Sequence, residues 1–144
     1  MGEGVGEREI GRQIEARFAS AGGTGLAFPV IAGGGANSAI IHYTSLKENF
    51  RQGDLALVDI GAEVHGYASD ITRTFPTGGR FTREQLALYN LVYRAQLAGL
   101  AAVRPGRSLL EVHQAAVDEL KEWARLMGHM VCHHGYHATS WKYD

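Results

Sequence analysis

The stretch Asp59-Ile60-Gly61-Ala62-Glu63-Val64-His65-Gly66-Tyr67-Ala68-Ser69-Asp70 decides how this chain folds. Residues 55–60, just ahead of and into it, are apolar and enter from Gly53-Asp54, which reads as a strand. Residues 64–68 follow a tight reversal and lead into a further strand over residues 71–75. With a two-residue turn at Val64-His65, Glu63 faces Gly66 and Asp59 stands directly opposite Asp70. Directly opposed side chains on antiparallel strands have Cβ atoms about 4.5–5.5 Å apart. Two carboxylates that close repel unless one is protonated or a positive charge lies between them. Asp59 also interrupts an apolar strand, where an unpaired charge is costly. A divalent cation resolves both problems, and in hydrolytic sites two carboxylates bridge metals about 3.5–4 Å apart. The plainer alternative leaves Asp59 at a strand end and Asp70 capping the next turn.

Outward from this hairpin the elements alternate clearly. Ile10, Ile14 and Phe18 fall four residues apart among charged neighbours, predicting an amphipathic helix over residues 7–19 that Gly22-Gly23 stops. Residues 26–32 read as a strand and residues 39–43 as a candidate second one, with Gly33-Gly34-Gly35 turning between them. Residues 46–52 form a polar connection, and residues 76–79 a turn. Thr82-Arg83-Glu84-Gln85 and Ser108-Leu109-Leu110-Glu111 are capping boxes. The first opens a helix carrying Leu86, Tyr89, Val92 or Tyr93, Gln96 and Leu100; the second opens a helix reaching about residue 127. Residues 128–144 are rich in histidine and have no clear period. The order predicts an α+β fold with a mostly antiparallel sheet flanked by helices.

Composition narrows the function classes. The chain has 144 residues, 45% of them apolar and 20% charged, with a formal net charge of −1. That supports a globular core and gives no basic face for nucleic acid. The one cysteine, Cys132, has no partner for an internal disulfide, which fits a reducing compartment. The first fourteen residues are polar and charged, unlike a signal peptide, and apolar runs such as residues 97–103 are too short to span a membrane. The default location is the cytoplasm.

Several blocks together, Gly33-Gly34-Gly35-Ala36-Asn37, His42-Tyr43-Thr44, residues 53–61 and residues 66–76, closely resemble the Xaa-Pro aminopeptidase and prolidase family. These are metallopeptidases of the creatinase-like, pita-bread fold. The resemblance runs over about residues 7–127, and it implies that residues 1–127 are a partial catalytic domain and residues 128–144 a divergent histidine-rich segment. It implies two divalent metals, manganese first with zinc or cobalt as alternatives, held by two aspartates, one histidine and two glutamates. Asp59 and Asp70 match the aspartates. His42 matches a histidine beside the substrate, a peptide with proline at its second position. The third ligand matches His137, the last histidine of Cys132-His133-His134-Gly135-Tyr136-His137, with His134 as the fallback. Thr72, on the same strand face as Asp70, either orients that ligand or is an ordinary exposed strand threonine.

The residues after His137 depart from the family pattern, and the two glutamates fall beyond this region. The expectation is therefore a fragment or a chain that needs a partner, a second copy included, with negligible peptidase activity by itself. An Xaa-Pro dipeptidase and a methionine aminopeptidase are neighbouring readings; Ile71-Thr72-Arg73-Thr74-Phe75-Pro76 favours the Xaa-Pro branch. A non-catalytic binding module on the same fold is the reading from another class, and two retained, opposed aspartates argue against it.

Overall fold

A computed structural model describes residues 4–127, which fall into two compact units that divide between Thr82 and Arg83. In the first unit, α1 spans Glu7–Ser20. Its C-terminus closes as expected, with the Gly23 N–H donating to the Phe18 carbonyl (2.9 Å) and the Gly22 N–H to that of Ala19 (3.2 Å). Six strands follow: β1 Gly25–Leu26, β2 Ile31–Gly34, β3 Leu55–Ile60, β4 Ala62–Val64, β5 Tyr67–Ala68 and β6 Ile71–Pro76. They form two three-stranded antiparallel sheets ordered β1-β4-β5 and β2-β3-β6.

The long hairpin from β3 to β6 contributes to both sheets, and its register corrects the sequence expectation. Val64 pairs with Tyr67 and Glu63 with Ala68, so the turn is His65-Gly66 and not Val64-His65. Asp59 pairs with Thr72 and Ile60 with Ile71. The reason is turn chemistry. A two-residue hairpin turn with both central residues left-handed suits the twist of the strands, and His65 (φ 51°) and Gly66 (φ 85°) supply those residues. The alternative would place β-branched Val64 in that region, where it is strongly disfavoured. Glu63 secures the turn, accepting from the Gly66 N–H at 2.6 Å and the Thr24 hydroxyl at 2.9 Å. Those two bonds hold its carboxyl below the ordinary carboxylate range.

Two further expectations change. Residues 26–32 are not one strand, because the chain bends at Ala27-Phe28, just ahead of Pro29, and splits into β1 and β2, one for each sheet. Proline has no N–H for a ladder, so a break there is physically natural. Residues 39–43 are not a strand either. A short 3-10 helix, Gly35–Ala39, follows β2 directly and the chain then turns through His42.

The core of this unit is Val30, Ala32 and Val58, with Ile10 and Ile14 of α1 packed against it beside Leu26, Leu46 and Ile60. The helix face expected from the spacing of Ile10 and Ile14 is thus the face that meets the sheet. Phe50, inside the connection read as polar, is 1% exposed. At the far end of the hairpin the buried Thr77 hydroxyl donates to the Asp54 carbonyl at 2.9 Å and lies against that of Arg51, stapling the turn after β6 to residues 51–54.

The second unit contributes α2, Arg83–Ala102, packed against α3, Leu109–Met127. The buried stripe of α2 is Leu91, Ala95 and Gly99, whereas Leu86, Val92, Tyr93 and Leu100 are exposed. Small residues at the contact let two helices approach closely; a Cβ added at Gly99 would lie 3.7 Å from Ala116 Cβ. Arg94 pairs with Glu119 across the helices at 3.2 Å.

The second capping box forms as read. The Ser108 N–H donates to Glu111 at 2.8 Å, and the Glu111 N–H to the Ser108 hydroxyl at 3.3 Å. Ser108 and Arg107 together hold the Glu111 carboxyl down to about 2 from an ordinary 4.5. Ser108→Ala should therefore cost about 1 kcal/mol, read as a lowered chemical-denaturation midpoint. A carboxyl depressed in the folded state stabilises above its unfolded pKa. The Glu111 contribution is complete above about pH 4.5 and is lost as pH falls towards 2, and Glu111→Gln should abolish that acid-dependent part in a pH series.

Candidate metal centre

Asp59 is the fifth residue of β3, and Asp70 immediately precedes β6. Asp59 pairs with Thr72, so Asp70 lies two residues away on the same strand face, diagonal to Asp59. Carried past the end of the ladder, the same register sets Gly61 opposite Asp70. The two carboxyls still come within hydrogen-bond reach of each other. Much of Asp70 is solvent-accessible, yet its carboxyl is raised above the ordinary range, first by loss of surrounding water and then by the charge and hydrogen bond of Asp59. The closeness expected from the sequence thus exists, in a diagonal and not a directly opposed arrangement.

Asp59 supplies a second observation. Its Oδ1 is buried and has no hydrogen-bond partner. An orphaned buried carboxylate oxygen is costly. A raised carboxyl beside it and a hard, anionic donor set are what a divalent cation would satisfy. The residues present therefore fit a metal. Thr72, paired directly with Asp59, stands where a hydroxyl can support a ligating carboxylate. Among the described residues no group of three or more His, Cys, Asp or Glu is gathered for a metal. His133, His134 and His137, with the whole of residues 128–144, lie outside the described residues.

His42 is exposed and has a left-handed backbone, φ 53°. It follows the 3-10 helix and precedes Tyr43, a buried side chain whose hydroxyl the sequence did not mark. A groove of about 550 Å³ lies beside Phe28, Pro29, Thr44 and Leu46, and none of Asp59, Asp70 and His42 lines it.

The hairpin that carries the two aspartates sits in an α+β arrangement of the pita-bread class. The sequence model of metallopeptidase family M24 matches residues 1–141, and the chain belongs to that family. Among its relatives is the Xaa-Pro aminopeptidase of Escherichia coli (strain K12), 41% identical over 109 residues, which are 76% of this chain and 25% of that protein. Among solved structures, aminopeptidase PepP of Pseudomonas aeruginosa matches with a TM-score of 0.83 and 37% identity, over 94% of this chain and 32% of that one. The prolidase from Pyrococcus furiosus matches with a TM-score of 0.81 and 32% identity, over 86% of this chain and 36% of that one. The chain thus spans about a quarter to a third of the length of these relatives. Among the described residues no helix is long and apolar enough to cross a membrane.

Proposed function

We propose that this chain is the metal-binding hairpin portion of an Xaa-Pro aminopeptidase, an exopeptidase that removes the N-terminal residue preceding proline. The observation that carries the reading is the Asp59–Asp70 pair, two carboxyls within hydrogen-bond reach with a buried, unpartnered oxygen on Asp59. Asp59 and Asp70 would hold two divalent ions, manganese by preference for hard oxygen donors, and His137 would supply the histidine that the resemblance implies. Such ions, when bound, lower the pKa of a water and polarise the scissile carbonyl. Asp59 and Asp70 fix where that charge stands. Thr72 orients the Asp59 carboxylate. His42, exposed in the turn that follows the 3-10 helix, donates to the scissile peptide and holds it for attack.

The similarity to a prolidase supports a second reading, an Xaa-Pro dipeptidase. The two differ in substrate length. His42 ring shifts in the manganese-loaded chain should respond to an Xaa-Pro-Xaa tripeptide under the first reading, and to an Xaa-Pro dipeptide alone under the second.

Calorimetry with manganese tests the reading itself. Heat of binding to the native chain, absent in Asp59→Asn, supports it; a native chain that takes up no metal leaves a binding module in its place. Among the described residues Asp59 and Asp70 stand together, whereas the family resemblance implies five ligands. The 144-residue chain alone should therefore release no N-terminal residue from Xaa-Pro peptides in manganese, and turnover near the roughly 10 s⁻¹ of an ordinary enzyme would overturn that.

A further inference from the structure

Glu7 opens α1. It is 0% exposed. Burying a carboxylate is costly unless its oxygens are filled by donors. Here each oxygen accepts two hydrogen bonds. Oε1 takes the Gly34 N–H at 3.0 Å and Asn37 Nδ2 at 3.0 Å. Oε2 takes the Tyr43 hydroxyl at 2.8 Å and the Glu48 N–H at 3.1 Å. Burial pushes this carboxyl up, but the bonds from Asn37, Gly34, Glu48 and Tyr43 together outweigh it, so the group stays below its ordinary range and ionised.

The donors come from both ends of residues 34–48, and they interlock. Asn37 Nδ2 also donates to the Tyr43 hydroxyl oxygen at 2.9 Å, and the Lys47 N–H reaches the same oxygen at 3.3 Å. Backbone pairing reinforces the closure, since the Glu7 N–H donates to the Glu48 carbonyl at 3.0 Å. His42 is the residue before Tyr43, on the span that this one side chain closes. Its left-handed backbone is a conformation that a residue with a side chain keeps only where its surroundings enforce it.

We infer that Glu7 is a positioning residue: its buried carboxylate clasps residues 34–48 and so sets where His42 stands. The consequence for peptide binding rests on the reading of His42 above, whereas the clasp itself rests on the hydrogen bonds alone. The polar network is satisfied at every oxygen, which is the condition under which such networks specify one local structure.

The test uses the 144-residue chain, with amide exchange and the His42 ring signal in a carbon–proton correlation spectrum as readouts. Glu7→Gln keeps the volume but turns an NH2 towards two of the four donors. It should speed exchange at Gly34 and Glu48 by at least about tenfold while β3 amides change less than about twofold. The His42 ring signal should move and broaden in the same variant. Tyr43→Phe, which removes one hydroxyl and keeps the ring, should move His42 likewise, and it carries the test if Glu7→Gln does not fold. Thr77→Val breaks the staple at the other end of the hairpin and should lower Tm without moving His42. A His42 signal unmoved by Tyr43→Phe, or moved equally by Thr77→Val, overturns the inference. Manganese calorimetry on the same samples keeps the two claims apart. Absent metal binding sinks the peptidase reading and leaves the clasp, whereas an unmoved His42 sinks the clasp and leaves the peptidase reading.

Discussion

Asp70→Asn should leave the metal-free chain at least as stable as the native one and abolish its stabilisation by manganese. The carboxyls of Asp59 and Asp70 are neighbours, and the proximity of Asp59 is part of what raises Asp70. Two like charges about 4 Å apart repel by roughly 4 kcal/mol at an effective dielectric constant near 20. Asp70 is largely exposed, so screening leaves on the order of 1 kcal/mol to be relieved by an amide. A bound cation acts oppositely: it turns the repulsion into shared attraction. A ligand at a hundredfold excess over its Kd stabilises the native state by about 2.7 kcal/mol. For a chain of this size that is a Tm rise of roughly 8 °C. Thermal denaturation with and without millimolar manganese reads both effects. The native chain should gain the full shift, and Asp59→Asn and Asp70→Asn should gain none. A variant that keeps the manganese response, or that is markedly less stable without metal, contradicts the paired-carboxylate account.

Gly61→Ala should lower stability by about 3 kcal/mol or more, among the larger effects for a single methyl. A Cβ at this position would meet the Ser69 carbonyl oxygen at 2.0 Å, the Phe28 ring at 2.7 Å and Ala27 Cβ at 3.0 Å. The first contact is with backbone, which has no rotamer by which to move away. Relief therefore requires the β3–β6 hairpin to open where it passes from one sheet to the other. Gly61 stands opposite Asp70 in the continued register, two residues after Asp59, so the same opening should separate the carboxyls. Chemical denaturation should show the lost stability, and calorimetry should show manganese affinity falling with it. Near-native stability would mean that the crossing is looser than its close contacts imply.

Both predictions depend on how a hairpin that was legible in the sequence is finished by its surroundings. The strand over residues 55–60 coincides with β3, the helix after Gly6 with α1, and the Ser108–Glu111 box with the start of α3. These are local signals: an apolar run, a repeat of four, and two side chains that satisfy each other's backbone donors. The nearness of Asp59 and Asp70 was legible too, because both lie on strands of one tight hairpin. The register was missed by a step in the turn, yet Asp59 still acts on Asp70 from the diagonal position. Phe50 and Glu7 were invisible as core residues. Each is surrounded in sequence by polar or charged residues, and each is buried only because the chain at residues 4–7 pairs with residues 48–50.

The amino-acid order alone determined the helices, the strong strands, the membership of this family and the two aspartates that meet. Those follow from interactions within a few residues or across one turn, where geometry leaves little choice. Tertiary structure decided the burial of Glu7 and the left-handed setting of His42. Each of these is a contest between conformations of similar local energy, and such contests are settled by contacts between segments far apart in the chain.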